Sequence, residues 1–165
     1  MQTQSGALLR LAAEIGDELG NLQRVVAEGA DLLPHLAAEP PASIHLRAAG
    51  SVIHDFCCGA ESVLRRVGQD LNGGLPEGAD WHRQLLTDMA LEIPGLRPAV
   101  VSASLRDELD ELRAFRHVFR NVYGFALKPA RVRDLLGRLP EIFEQLRAEL
   151  SAFAAMLRAA IKAAS

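Results

Sequence analysis

The sequence predicts an all-α fold, a bundle of four main helices and one short one. Three observations carry this. Apolar residues recur at spacings of three and four through most of the 165 residues, the period of an amphipathic helix. No stretch alternates as a strand does. Proline- and glycine-bearing segments fall between the periodic runs, where connectors belong. With 49% hydrophobic and 24% charged residues, the composition is that of a globular chain with a sizeable core. The length predicts one domain over residues 1–165.

The first helix is expected from about Ser5 to Leu33, on the repeat Leu8, Leu11, Ile15, Leu19, Leu22 and Val26. Gly16, Gly20 and Gly29 weaken it, and a close approach of another helix at Gly16 and Gly20 would explain two of them. Pro34 ends or breaks it. After Glu39-Pro40-Pro41, Ser43 is placed to cap a second helix reaching Leu71. Its apolar side is Ile53, Phe56, Cys57, Ala60, Val63, Leu64, Val67 and Leu71. His54 and Glu61, two turns apart, lie on the border of that side.

Asn72-Gly-Gly-Leu-Pro-Glu-Gly78 is a turn and lacks the Gly-Lys-Ser/Thr ending of a phosphate loop. Asp80 is placed to cap a short helix from Trp81 to about Leu91, and Ile93 to Pro98 makes an ordered loop. A third long helix is expected from Ser104, with Asp107 at its third position. Its core arc is Leu105, Leu109, Leu112, Phe119 and Val122. At about 100° per residue, Arg116 and Tyr123 fall inside that arc and Arg120 at its edge, while His117 and Asn121 point off it. An arginine amid apolar residues needs an ion partner or a cleft. The last helix is expected from about Ala130 to Ala164, with Pro140 as a kink.

Charge and cysteines narrow the chemistry. The net charge of −3 excludes a globally basic nucleic-acid binder. From Arg113 to Arg138, however, seven Lys or Arg face one acid, Asp134. This stretch either meets a phosphate-bearing partner or offsets the acidic remainder of the fold. Cys57 and Cys58 are neighbours on a helix, so their side chains diverge and are expected to be small core residues in a reducing compartment. The five histidines are scattered without ligand spacing, so no metal and no cofactor are expected. There is no apolar run long enough to span a membrane and no secretory leader, which predicts a cytoplasmic protein.

The densest polar segment is Arg113-Ala-Phe-Arg116-His117-Val-Phe-Arg120-Asn121-Val-Tyr123. Arginine grips phosphate through a bidentate fork, and histidine moves protons near neutral pH. Together they suit RNA cleavage without a metal: a base takes the ribose 2′-OH proton and arginine stabilises the phosphorane. The alternative is structural, with Arg116 paired to Glu61 across the bundle and Tyr123 hydrogen-bonded nearby.

The run Phe115 to Phe125 resembles the signature helix of HepT-like proteins of the HEPN superfamily. Asp55-Phe56, Gly59-Ala60-Glu61, Gly73-Gly74-Leu75-Pro76, Trp81-His82 and Arg97-Pro98 are similar to that group as well. The resemblance implies a helical bundle that forms a homodimer with the motif helices facing a shared cleft. In toxin members an R-x4-H-x-Y motif cleaves RNA. A partner nucleotidyltransferase of the MNT type, the antitoxin, silences them by attaching AMP to the motif tyrosine. Carried onto this chain, the motif arginine is Arg116, the modified tyrosine is Tyr123, and Glu61 is the acidic residue of the second helix. The histidine position holds Asn121, which cannot exchange a proton. The catalytic set to test is therefore Arg116, His117, Asn121 and Glu61, with Arg113 and Arg120 on the phosphate. A protein that keeps the fold and binds RNA, nucleotide or a partner without cleavage is the alternative.

Overall fold

A computed structural model describes residues 2–163, without the side chains of residues 2–4 and 125. Met1, at the segment expected to lack a leader, and Ala164, the expected end of the last helix, lie outside the described residues. The elements are α1 (Gln2–Leu32), α2 (Ser43–Leu71), α3 (Trp81–Met89), α4 (Ala103–Asn121) and α5 (Pro129–Ala163). Short 3-10 turns occupy Leu33–Leu36 and Gly124–Ala126. Among the described residues there is no strand, only a bridge between Ile93 and Arg97. The all-α bundle expected from the periodicity is the fold observed. Among the described residues no helix is long and apolar enough to cross a membrane.

Helix α2 is the hub. It packs on α1 and α5 on one side and on α3 and α4 on the other. Its stripe Ile53, Phe56, Cys57, Ala60, Val63, Leu64 and Val67 is buried, and Leu11, Ile15 and Leu22 of α1 and Leu135, Leu139 and Leu146 of α5 close over the same core. Two glycines of α2 set the helix distances. A Cβ on Gly50 would lie 2.6 Å from the Phe119 ring of α4, and one on Gly59 would lie 2.7 Å from Leu22 of α1. Nothing lies within 4 Å of a Cβ at Gly16 or Gly20, so the close approach expected there is absent. The periodicity placed these glycines on α1 without showing where its neighbours cross it.

Three helix starts differ from the sequence reading. Ser43 is the first helical residue and Ala42 precedes it without a side-chain cap. Asp80 is in the cap position of α3 but accepts no capping bond. The cap of α4 is Ser102, whose Oγ accepts from the Leu105 amide at 3.2 Å. Glu149 of α5 selects that start: it accepts from the Ser102 amide and from its Oγ, both at 2.7 Å. Asp107 is thereby displaced from the third position and pairs with Arg106.

The connector between α3 and α4 is pinned by Arg97, which is 5% exposed. Its Nε donates to Asn72 Oδ1 at 2.8 Å, and its terminal nitrogens donate to the carbonyls of Leu91, Pro98 and Asp88. The loop expected between Ile93 and Pro98 is thus ordered by its own arginine. Helix α5 runs on with Pro140 inside it.

Candidate functional site

The C-terminal half of α4 stands against the middle of α2 and the start of α3. Phe115 is buried and Phe119 half-buried, and they anchor this half of α4. Phe115 belongs to the core arc, whereas Val122, expected there, is 38% exposed. The reason is that α4 stops at Asn121. Val122 and Tyr123 are extended, with ψ near 150°. The Asn121 amide donates to the His117 carbonyl at 2.6 Å and closes the last turn.

This ending overturns the expected place of Tyr123. A helical wheel puts it in the apolar arc, but the helix does not reach it, and Tyr123 is 75% exposed. The structure brings most of the other expected site residues together. Arg113, Arg116, His117, Arg120 and Asn121 line a polar cleft of about 310 Å³, and His82 of α3 forms its opposite wall. Arg116 is withdrawn from solvent, with its side chain 16% exposed, whereas Arg120, His117 and Asn121 are on the surface.

Glu61 is the carboxylate behind the cleft, with its side chain 15% exposed. Its Oε2 is 3.5 Å from the Arg116 guanidinium and 2.6 Å from His82 Nδ1. The Arg116–Glu61 contact expected across the bundle therefore exists, but it is long. The short bond goes to His82, which the sequence showed only as part of the Trp81-His82 resemblance and not as a site residue. Arg116 Nε is buried and has no hydrogen-bond partner. Arg113 is engaged through its Nε by Asp110 at 2.6 Å. Arg120 makes no hydrogen bond or ion pair with the described residues.

The surroundings of Glu61 and His82 are mostly apolar. Both also line a 20 Å³ cavity with Cys57, Ala60, Leu64 and Leu85. Burial pushes the Cys57 thiol up to about 12, so it stays neutral and acts as a packing group. Cys58 is half-buried rather than core, 3.7 Å from His54 Nε2, and burial raises its thiol too. His54 turns to Asp55 and Cys58, so it shares no site with Glu61 although both are on the same border of α2. Among the described residues, no group of three or more His, Cys, Asp or Glu could hold a metal ion.

The basic stretch divides. Arg131 pairs with Glu111, Arg133 with Glu39, and Arg138 with Glu108 and Glu111, each at 2.6–2.7 Å. These three cations offset acidic partners inside the fold. Arg113, Arg116 and Arg120 are the ones that share the cleft.

No curated protein and no solved structure matches the chain. The family model of HepT-like proteins matches residues 48–157, which span α2 from its first third, all of α3 and α4, and most of α5. That range contains every residue of the cleft and Glu61 behind it, and the chain belongs to the HepT-like proteins of the HEPN superfamily.

Proposed function

We propose that this chain is the toxin-type half of a toxin–antitoxin pair and that the α4 cleft binds and cleaves an RNA phosphodiester without a metal. The carrying observation is the cluster of Arg113, Arg116 and Arg120 in one polar cleft, where the Arg116 guanidinium meets a carboxylate only at a long 3.5 Å. A phosphate oxygen in the cleft would give its terminal nitrogens a charge-assisted acceptor. Arg116 would then stabilise the charge that develops on the phosphorane.

Regulation follows from the position of Tyr123. It is on an exposed, extended segment just past the cleft helix, where a second enzyme can reach it. In this reading an MNT-type nucleotidyltransferase attaches AMP there, adding bulk and negative charge beside the arginines. The active form is a homodimer. The second reading, RNA binding without cleavage, is favoured by Asn121: it occupies the motif histidine position and its amide is spent on the His117 carbonyl.

Induction of wild-type protein in a bacterial host is expected to arrest growth, and Arg116→Ala is expected to abolish the arrest. Growth arrest unchanged by Arg116→Ala removes the nuclease reading. RNA retained by the wild type, with no new RNA ends and no arrest, selects the second reading.

A further inference from the structure

We infer that His82 is the proton acceptor of the cleft and that Glu61 is the residue that positions it. The inference rests on the RNA-cleaving reading above and supplies the base that Asn121 cannot be. Two histidines line the cleft. His117 is on the surface, and its ring makes no hydrogen bond or ion pair with the described residues. His82 is held from two sides. Its Nδ1 is 2.6 Å from Glu61 Oε2, and its ring stacks on Trp81 with centroids 3.6 Å apart and planes 27° from parallel. Trp81 is itself covered by the Arg65 guanidinium at 5.4 Å.

A carboxylate accepts and does not donate, so the bond to Glu61 selects, for the neutral ring, the tautomer with the proton on Nδ1 and the lone pair on Nε2. The imidazolium that forms when Nε2 takes a proton is then stabilised by the same carboxylate. The His82 side chain stays 28% exposed, enough to meet a ligand in the cleft. Glu61 Oε2 also contacts Arg116, so proton acceptor, carboxylate and phosphate ligand form one connected set. The charged and titratable groups around His82 are Cys57, Glu61 and, beyond Trp81, Arg65 on α2, and Arg113, Arg116, His117 and Arg120 on α4.

The step balances without a further reactant. His82 Nε2 takes the 2′-OH proton and the 2′-oxygen bonds to the adjacent phosphorus. The bond from phosphorus to the 5′-oxygen breaks, and that oxygen leaves with the electron pair and takes a proton from water. The imidazolium returns its proton to solvent. The products are a 2′,3′-cyclic phosphate and a 5′-hydroxyl.

The test uses the full-length protein and a fluorescein-labelled single-stranded RNA of mixed sequence. Cleavage is read by the cyclic-phosphate ends, affinity by anisotropy and folding by circular dichroism. His82→Gln is expected to lose about 10²- to 10⁴-fold in rate while its RNA affinity stays within about threefold of wild type. His82→Ala is expected to regain part of its rate with added imidazole, which a merely structural histidine would not. Glu61→Gln is expected to lower kcat while KM stays within about threefold of wild type, because the His82 ring loses the partner that orients it. Cleavage by His82→Gln at near the wild-type rate, with Arg116→Ala inactive, overturns the assignment of His82 and leaves the nuclease reading standing. A folded His82→Ala that imidazole does not rescue also overturns it. A wild type that binds the RNA and forms no cyclic phosphate overturns both.

Discussion

Arg97 and Arg116 are two arginines largely withdrawn from solvent, and they are satisfied in opposite ways. Arg97 donates to one side chain and three carbonyls, all at 2.8–3.0 Å, and so serves as the internal fastener of a loop. Arg116 has one ion pair, long at 3.5 Å, a contact with the Cys58 thiol, and a buried nitrogen with no acceptor. Removing the first strands three carbonyls; removing the second relieves an unmet donor and leaves Glu61 its bond to His82. Arg97→Met is therefore expected to lower unfolding stability by on the order of 3 kcal/mol. Arg116→Met is expected to lower it clearly less, both read from urea melts. A loss at Arg116 equal to that at Arg97 would make Arg116 a structural bridge. Neither outcome was legible at the level of residue type. The helical wheel found that Arg116 was misplaced in an apolar arc, but the donor count depends on atoms from α2.

At the scale of elements, charge on α4 and α5 is arranged as a clamp. Arg138 bonds Glu108 and Glu111 at 2.6 Å, and Arg131 adds a second bond to Glu111. The Arg138 hydrogen bond, outweighing burial, holds the Glu111 carboxyl below its ordinary value. A carboxyl depressed in the folded state contributes stability above its unfolded value of 4.5, and that contribution is lost as pH falls through the folded value. Glu111→Gln is accordingly expected to melt lower than wild type at pH 7 and to show a shallower loss of melting temperature below pH 5. Because the carboxylate is a third exposed, the difference at pH 7 is expected to be about 1 kcal/mol or less. The sequence showed a basic stretch and left two uses for it open. The structure divides the stretch by element: Arg131, Arg133 and Arg138 of α5 are paired with acids, and Arg113, Arg116 and Arg120 of α4 line the cleft.

Over the whole molecule, the family match begins at residue 48 and leaves out α1, yet α1 closes the core against both α2 and α5. Leu11, Ala12, Ile15 and Leu22 are almost wholly buried there. Arg66–Glu14 and a bond from Arg158 to the Ala12 carbonyl tie its flanks to α2 and α5. Truncating one of these side chains leaves a cavity that the close-packed helices cannot collapse around. Ile15→Ala is expected to cost about 2–5 kcal/mol in unfolding free energy, measured by denaturant titration. The site would then be lost by unfolding, although Ile15 takes no part in the cleft. A loss below 1 kcal/mol would show that α1 is dispensable to the core.

The sequence by itself determined the helices, most of their buried faces outside the end of α4, and the unusual position of Arg116, because an α-helix repeats every few residues and its apolar stripe is local information. It also carried the family, through motifs kept at fixed spacing along the chain. Only the tertiary structure decided which side chains meet. Glu61 and His82 are 21 residues apart and joined by a glycine-rich turn, and no period relates them. Tyr123 left the apolar arc because α4 ends two residues before it, closed by an asparagine bond that a wheel does not contain. Contacts between helices depend on crossing distances set by packing, here by Gly50 and Gly59 of α2. The cleft opposite His82 is therefore a property of the assembled bundle, and the residues of α4 supply one wall of it.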